Sequence, residues 1–336
     1  MLACALAQPV AADLKPLSNE TLGSVTGQAG ITVELETKVN VGEFRYRDDG
    51  FLFARNIALG DADGSALDNL QLTMDIAGDN EVLHHGFSKM AMWADQGLLD
   101  SNNADVAYAI SQYQQGANFG KTFNNGDLVI HLDALNPGII NGGNQADNLN
   151  AARTAIDFGL NIDAVGLTDS GYSTGSATQQ TLMFENIRMQ GYLGPTDLVI
   201  RNAGNAQGTT LANGMTVGDS RLEFDTHFEV SDLDFDWNVG DLILLFNFAG
   251  IQLENMRIHN SRGNDTLGHF GYASATAKIA QGTSAGTGKS GMAIYDVEAH
   301  MDIDMPIVRI GGISIGQVDF TDFVISNTTM LVYGHP

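Results

Sequence analysis

Apolar and polar residues alternate with period two along much of the chain, in residues 67–76, 156–163, 222–230 and 297–305. Period two sends successive side chains to opposite faces, so each stretch predicts a strand with one wet and one buried face. Three further strands begin at aspartate: Asp127-Leu128-Val129-Ile130, Asp197-Leu198-Val199-Ile200 and Asp241-Leu242-Ile243-Leu244. Helical spacing is confined to Val106, Ile110 and Tyr113, with Asn103 as a cap and Gly116 as a stop. Residues 141–151 and 280–291, rich in Gly with Asn or Ser, predict loops. The pattern predicts an all-β, elongated, repeat-built chain with little helix, β-solenoid-like or, alternatively, made of β-sandwich modules.

Four segments share one design, apolar-x-apolar-x-Asn/Asp-apolar-x-apolar, the first with an extra residue before its Asn. They are Phe51-Leu52-Phe53-Ala54-Arg55-Asn56-Ile57-Ala58-Leu59, Leu182-Met183-Phe184-Glu185-Asn186-Ile187-Arg188-Met189, Ile251-Gln252-Leu253-Glu254-Asn255-Met256-Arg257-Ile258 and Val318-Asp319-Phe320-Thr321-Asp322-Phe323-Val324-Ile325. Their polar anchors Asn56, Asn186, Asn255 and Asp322 stand 130, 69 and 67 residues apart, which implies modules of about 65 residues with one degenerate copy. The apolar alternation changes phase at each anchor, as a bulge or bend between two short strands would produce, and such a segment is expected to cover two sides of a core.

Charge narrows the function classes. Sixteen Lys and Arg against 40 Asp and Glu leave a formal net charge of −24. Nucleic acid is excluded as a partner because phosphate contacts need a basic face, and an anionic membrane surface is disfavoured for the same reason. The acids fall on the wet faces of the alternating stretches, so the charge is expected as solvated stripes. No later run approaches 18 apolar residues, so no membrane span is expected.

Residues 1–12 look like the remnant of a secretory signal, with Ala5-Leu6-Ala7 and Val10-Ala11-Ala12 as small-x-small cleavage patterns. Residues 13–30 form an N-terminal lead and 31–336 the β-repeat region. Cys4, the single cysteine, lies in the remnant; its removal would exclude disulfides, thiol catalysis and thiolate metal sites together.

No catalytic residue is assigned. The two G-x-S-x-G matches, around Ser173 and Ser284, lack the helix that a nucleophile elbow requires, and Gly286-Thr287-Gly288-Lys289-Ser290 lacks the first glycine and the helix of a phosphate loop. The eight histidines show no zinc spacing. Hard oxygen ligands do gather around two glycine turns, Asp48-Asp49-Gly50 and Asp61-Ala62-Asp63-Gly64 with Asp68, which suits calcium; Asp48, Asp49, Asp61, Asp63 and Asp68 are the candidate ligands. Asp-Gly is equally a plain turn signal.

The stretch from Leu14-Lys15-Pro16-Leu17-Ser18-Asn19-Glu20-Thr21-Leu22 through Val25-Thr26-Gly27-Gln28-Ala29-Gly30-Ile31-Thr32-Val33, followed by Asp48-Asp49-Gly50, resembles the opening of a group of gammaproteobacterial secreted proteins, some linked to a pilus system of the Fil type. The resemblance covers about 20 residues closely and brings no catalytic residue. It implies a secreted structural component, extracellular or at the cell surface.

The expectation is therefore a non-enzymatic subunit of a filament or biofilm matrix that self-associates through β-strands. Ile31, Val33 and Leu35 form the apolar row of an assembly strand behind the Gly27–Gly30 hinge, and residues 313–332 are a second strand that can add to a neighbour's sheet edge. The alternatives are a calcium-stabilised adhesin that binds a surface or polysaccharide ligand, and a polysaccharide-acting enzyme.

Overall fold

The structure is a computed structural model that describes residues 30–47, 50–82, 93–94, 96–113, 122–140, 142–168, 180–203, 208–238, 250–260 and 271–333. In chain order its elements are β1 (Ile31–Thr37), β2 (Val39–Arg47), β3 (Phe51–Gly60), β4 (Leu67–Ile76), β5 (Glu81–Val82), α1 (Ala104–Tyr113), β6 (Thr122–Phe123), β7 (Leu128–Ala134), α2 (Gln145–Arg153) and β8 (Asp157–Thr168). There follow β9 (Gln180–Arg201), β10 (Thr209–Thr210), β11 (Thr216–Val217), β12 (Arg221–Trp237), β13 (Ile251–His259), β14 (Ala273–Thr283), β15 (Ser290–Ile310) and β16 (Ile313–Val332).

All of these strands except β5 and β6 belong to one sheet, and every pairing in it is antiparallel. The chain runs back and forth: β1 and β2 in line, then β3 and β4, β7 and β8, β9, β12, β13 and β14, β15, and finally β16. Each run pairs with the one before and the one after it. The all-β expectation holds, but the connectivity is an up-and-down meander and not the coils of a solenoid or two packed sheets. Antiparallel neighbours need only a hairpin, as between β14 and β15 and between β15 and β16, whereas a long insertion joins β4 to β7. The hairpin from β15 to β16 is the two-residue Gly311-Gly312, with φ of 61° and 74°, and the pair Ile310–Ile313 closes it. Two consecutive positive φ values suit a type I′ turn, which glycine adopts without steric cost.

The long strands cross two unlike halves. In one half, β2, β3, β8, the start of β9, the end of β12, β13, the end of β15 and the start of β16 stand side by side. A single register row there reads Phe44–Ala54–Val165–Phe184–Trp237–Ile251–Ile310–Ile313, apolar across the whole meander. In the other half, β1, β4, β7, the end of β9, the start of β12, β14, the start of β15 and the end of β16 are neighbours. The buried clusters lie at this half and at the junction: Leu67, Leu70, Ala134, Ile156 and Phe158 at the junction, Ala77, Phe123, Val129 and Val199 under β6, and Met215, Val217, Ala280, Ala293 and Tyr295 beside β11.

The insertion between β4 and β7 adds a helical layer. Helix α1 begins where the sequence predicts it, with the Asn103 side chain accepting the Val106 N–H at 3.3 Å. It buries Val106 and Ala109 with Trp93, Leu99, Leu149 and Tyr272. Residues 141–151, expected as a loop, instead carry α2. The Asn144 side chain accepts from the Ala146 N–H at 3.0 Å, and fully buried Leu149 anchors the helix, so a cap and one tertiary contact outweigh its weak helical pattern.

The expected solvated acid stripes also need correction. Asp127, Asp133, Asp197, Glu223, Asp225 and Asp302 are buried. On β12 the alternation is real, but the face of Glu223, Asp225 and His227, expected to be wet, is the covered one, and on β15 Asp302 is covered too.

Candidate functional site: the anchor residues and the open edges

The four anchors adopt one backbone state. Asn56, Asn186, Asn255 and Asp322 have φ of 51°, 55°, 56° and 53°, inside four extended strands. This left-handed region is open to glycine and, among other residues, chiefly to Asn and Asp. Each anchor meets an aspartate on an adjoining strand. Asn56 Nδ2 donates to Asp163 Oδ2 at 2.7 Å and Asn186 Nδ2 to Asp236 Oδ2 at 2.7 Å. The Asn255 N–H reaches Asp234 Oδ1 at 2.7 Å, and the Asp322 N–H reaches Asp302 Oδ1 at 2.8 Å.

The register shows what the anchors accomplish. On regular β12, Leu233 and Trp237 share a face, and they pair with Met189 and Phe184 on β9, five positions apart, across a register shift at Asn186. On β15, Met301 and Ile303 share a face and pair with Phe323 and Phe320, whose rings lie 6.2 Å apart edge to face. At Asn56, β3 stays in register with both β2 and β8, while at Asn186, Asn255 and Asp322 one extra residue on the anchor strand absorbs the phase change. Apolar side chains before and after it stay on one face of the sheet, where the sequence pattern suggested two sides of a core.

Among the described residues both outer edges of the meander are open. Among the described residues β1 pairs only with β4, β2 only with β3, and β16 only with β15. These edges also carry exposed apolar side chains: Phe44 and Tyr46 at 52% and 59% on β2, and Ile313 and Phe320 at 72% and 47% on β16. Long, apolar, unpaired edges are what proteins normally blunt. The expected assembly strand is the outer strand of its own sheet: Ile31, Val33 and Leu35 stand opposite Met74, Leu72 and Leu70 of β4.

Of the candidate calcium ligands, Asp61 and Asp68 both approach Asp157, and the Asp61 carboxylate accepts the Asp63 N–H at 3.4 Å. Asp48 and Asp49 lie outside the described residues. Asp63 turns into its own loop, its Oδ1 accepting the Ser65 N–H at 2.7 Å, which holds its carboxyl below the usual range. Asp61 and Asp68 stand near Asp157, whose carboxyl is raised to about 6 by burial, by its hydrogen bond to Asp61 and by the charges of Asp61 and Asp68. Among the described residues no three side chains converge in a metal-binding arrangement. Ser173 lies outside the described residues, and Ser284 opens a turn between β14 and β15, its N–H bonded to Lys289 O at 2.9 Å.

Sequence reasoning missed a buried polar cluster. His131 Nδ1 lies 2.8 Å from Asp197 Oδ1, and His131 Nε2 lies 3.6 Å from Asp133. Burial opposes the charge on His131, but the carboxylates of Asp133 and Asp197 outweigh it and raise its pKa to about 9. His227, on neighbouring β12, is pushed below its ordinary value by burial, against the charges of Asp225 and Asp197. Alongside, Arg201 bridges Asp127 at 3.0 Å and Glu223 at 3.2 Å. The available signal was the repeated Asp-Leu-Val-Ile, because its two copies in β7 and β9 are antiparallel neighbours that set His131 opposite Asp197. These groups are enclosed and paired by opposite charge, so they read as structural.

Among the described residues no helix is long and apolar enough to cross a membrane. Residues 1–78 match a family of unknown function, DUF6160, so the likeness ends with β4 and includes the open β1–β2 edge. No curated protein and no solved structure matches the chain.

Proposed function

We propose that this protein is a structural subunit of an extracellular or cell-surface polymer, a filament or matrix, which assembles by β-strand contact. The observation that carries the reading is the pair of open sheet edges, each long, unpaired among the described residues and lined with exposed apolar side chains. A sheet edge offers a row of backbone N–H and C=O groups that another strand satisfies directly. Cross-strand apolar and aromatic pairs add roughly 0.2–1 kcal/mol each, so an edge of this length supports stable association. The acidic balance of −24 keeps such a surface soluble and spaces assembled copies. The resemblance of residues 14–33 to secreted, pilus-linked proteins points to the same compartment.

Sedimentation velocity and negative-stain microscopy over a concentration series test this. Concentration-dependent polymers are expected. A monomer at all concentrations, with native circular dichroism, contradicts the reading.

A further inference from the structure

The assembly reading leaves open which edge meets which. Taking that reading as its premise, we propose that β16 of one copy adds to the β1–β2 edge of the next, antiparallel and head to tail, with Asp322 opposite Gly42. The partner is a second copy of this chain.

Direction comes first. The meander has eight antiparallel runs, so its first run, β1–β2, and its last, β16, point opposite ways. A copy displaced sideways, without inversion, sets β16 antiparallel to the next β1–β2 edge, as every neighbour inside the sheet already is. Such a contact joins two different surfaces and leaves one of each free, so it propagates.

Register comes from the apolar pattern. On β2 the apolar residues run Tyr46, Phe44, then, after a step of three, Val41 and Val39. On β16 they run Val318, Phe320, then, after a step of three at the left-handed Asp322, Phe323 and Ile325. Aligning the two steps sets Val318 opposite Tyr46, Phe320 opposite Phe44, Phe323 opposite Val41 and Ile325 opposite Val39. A slip of one residue sends every one of these pairs to opposite faces.

Charge and space agree with this alignment. Asp319, exposed on β16, falls opposite Arg45, which also lies 3.0 Å from Glu43 on its own strand. No like charges come directly opposite along residues 31–47. Asp322 falls opposite Gly42, beside which a Cβ would meet no atom within 4 Å. Farther along, left-handed Asn327, φ 52°, supplies one extra residue on β16, which carries Met330 to Leu35 and Val332 to Val33. All four of these apolar side chains lie on the two outer strands, Met330 and Val332 each at 48% exposure.

Engineered thiols test the arrangement in the full chain carrying Cys4→Ser, so that the introduced cysteines are the only ones. Asn40→Cys and Val324→Cys fall opposite each other in the proposed register. Diamide oxidises the two thiols to a disulfide and takes up the two protons and two electrons. The double variant should give a ladder of covalent oligomers on non-reducing gels, while each single variant stays monomeric under denaturation. Covalent dimers from either single variant would indicate symmetric edge pairing and overturn the proposal. Polymers by microscopy with no cross-link in the double variant would overturn the register and leave the assembly reading intact. Monomers throughout would sink both.

Discussion

Asn186 and Asp236 are joined across β9 and β12 by a 2.7 Å hydrogen bond between side chains, and Asn56 and Asp163 repeat it at 2.7 Å across β3 and β8. In both pairs the asparagine has left-handed backbone torsions, and its amide satisfies a carboxylate of the adjoining strand. The same residue thus sets a local backbone state and the contact that holds it.

Substitution at an anchor should separate these two roles. Asn186→Gly keeps the torsion and loses the hydrogen bond, at an expected cost of about 1 kcal/mol. Asn186→Val also forces a β-branched residue into the left-handed region and should cost about 1–3 kcal/mol more. Urea denaturation followed by circular dichroism measures both. Equal losses would show that the torsion is not what selects Asn.

His131 should make the protein alkali-sensitive. Its folded pKa is raised to about 9 from an ordinary value of 6.5, so the folded state holds a proton that the unfolded state releases. The stabilisation is complete below pH 6.5 and is lost as pH rises through 9. The loss is at most about 3 kcal/mol, from roughly 1.4 kcal/mol per unit. His131→Gln should be less stable at pH 6 and show a flatter profile between pH 6.5 and 9. A parallel decline in the variant would assign the effect to another group.

Asp157 should act with the opposite consequence for substitution. Burial and the adjacent Asp61 raise its carboxyl to about 6, so the folded state binds more protons than the unfolded state between pH 4 and 6, and stability falls as pH rises through that window. Above pH 6 the repulsion is fully present. Asp157→Asn should therefore raise stability at pH 7.5 by about 1 kcal/mol, a figure reduced for solvent screening at this partly exposed site. The gain should vanish below pH 4. Thermal melts at both pH values decide it.

Phe53, fully buried, packs beneath the Arg55 guanidinium, 4.3 Å from its ring centroid, and fills the space beside Gly166. Phe53→Ala should cost about 3–5 kcal/mol. Gly166→Ala should also destabilise, by about 1–3 kcal/mol, because its Cβ would stand 2.6 Å from Thr181 O and 2.7 Å from the Phe53 ring. Combining Gly166→Ala with Phe53→Leu should recover part of that loss; no recovery would place the strain on the Thr181 backbone alone.

Much of the candidate site was legible in one dimension. The anchors were found from spacing and from the phase change, because Asn and Asp at a break in alternation signal a backbone state that few residues adopt. The edges were legible only as two segments able to add to a neighbour's sheet, residues 31–35 behind a glycine hinge and residues 313–332. Ile31, Val33 and Leu35 alternate like any half-buried strand, and nothing local distinguishes an outer strand from an inner one. Phe320 and Phe323 looked like core for the same reason.

Local rules by themselves determined many of the strands, helix α1 with its Asn103 cap, the anchor positions and the all-β class, since period, capping and torsional preference act over a few residues. They read 280–291 as a loop, although β14 runs on to Thr283 and β15 starts at Ser290. Tertiary structure alone decided that the strands join as one antiparallel sheet, that α2 forms where Leu149 finds a buried seat, and that Asp133 and Asp197 enclose His131. It also decided that β1–β2 and β16 are the strands left at the rims. These outcomes depend on which distant segments meet, and hydrogen bonding between strands is satisfied equally well by many partners until the whole sheet selects one order.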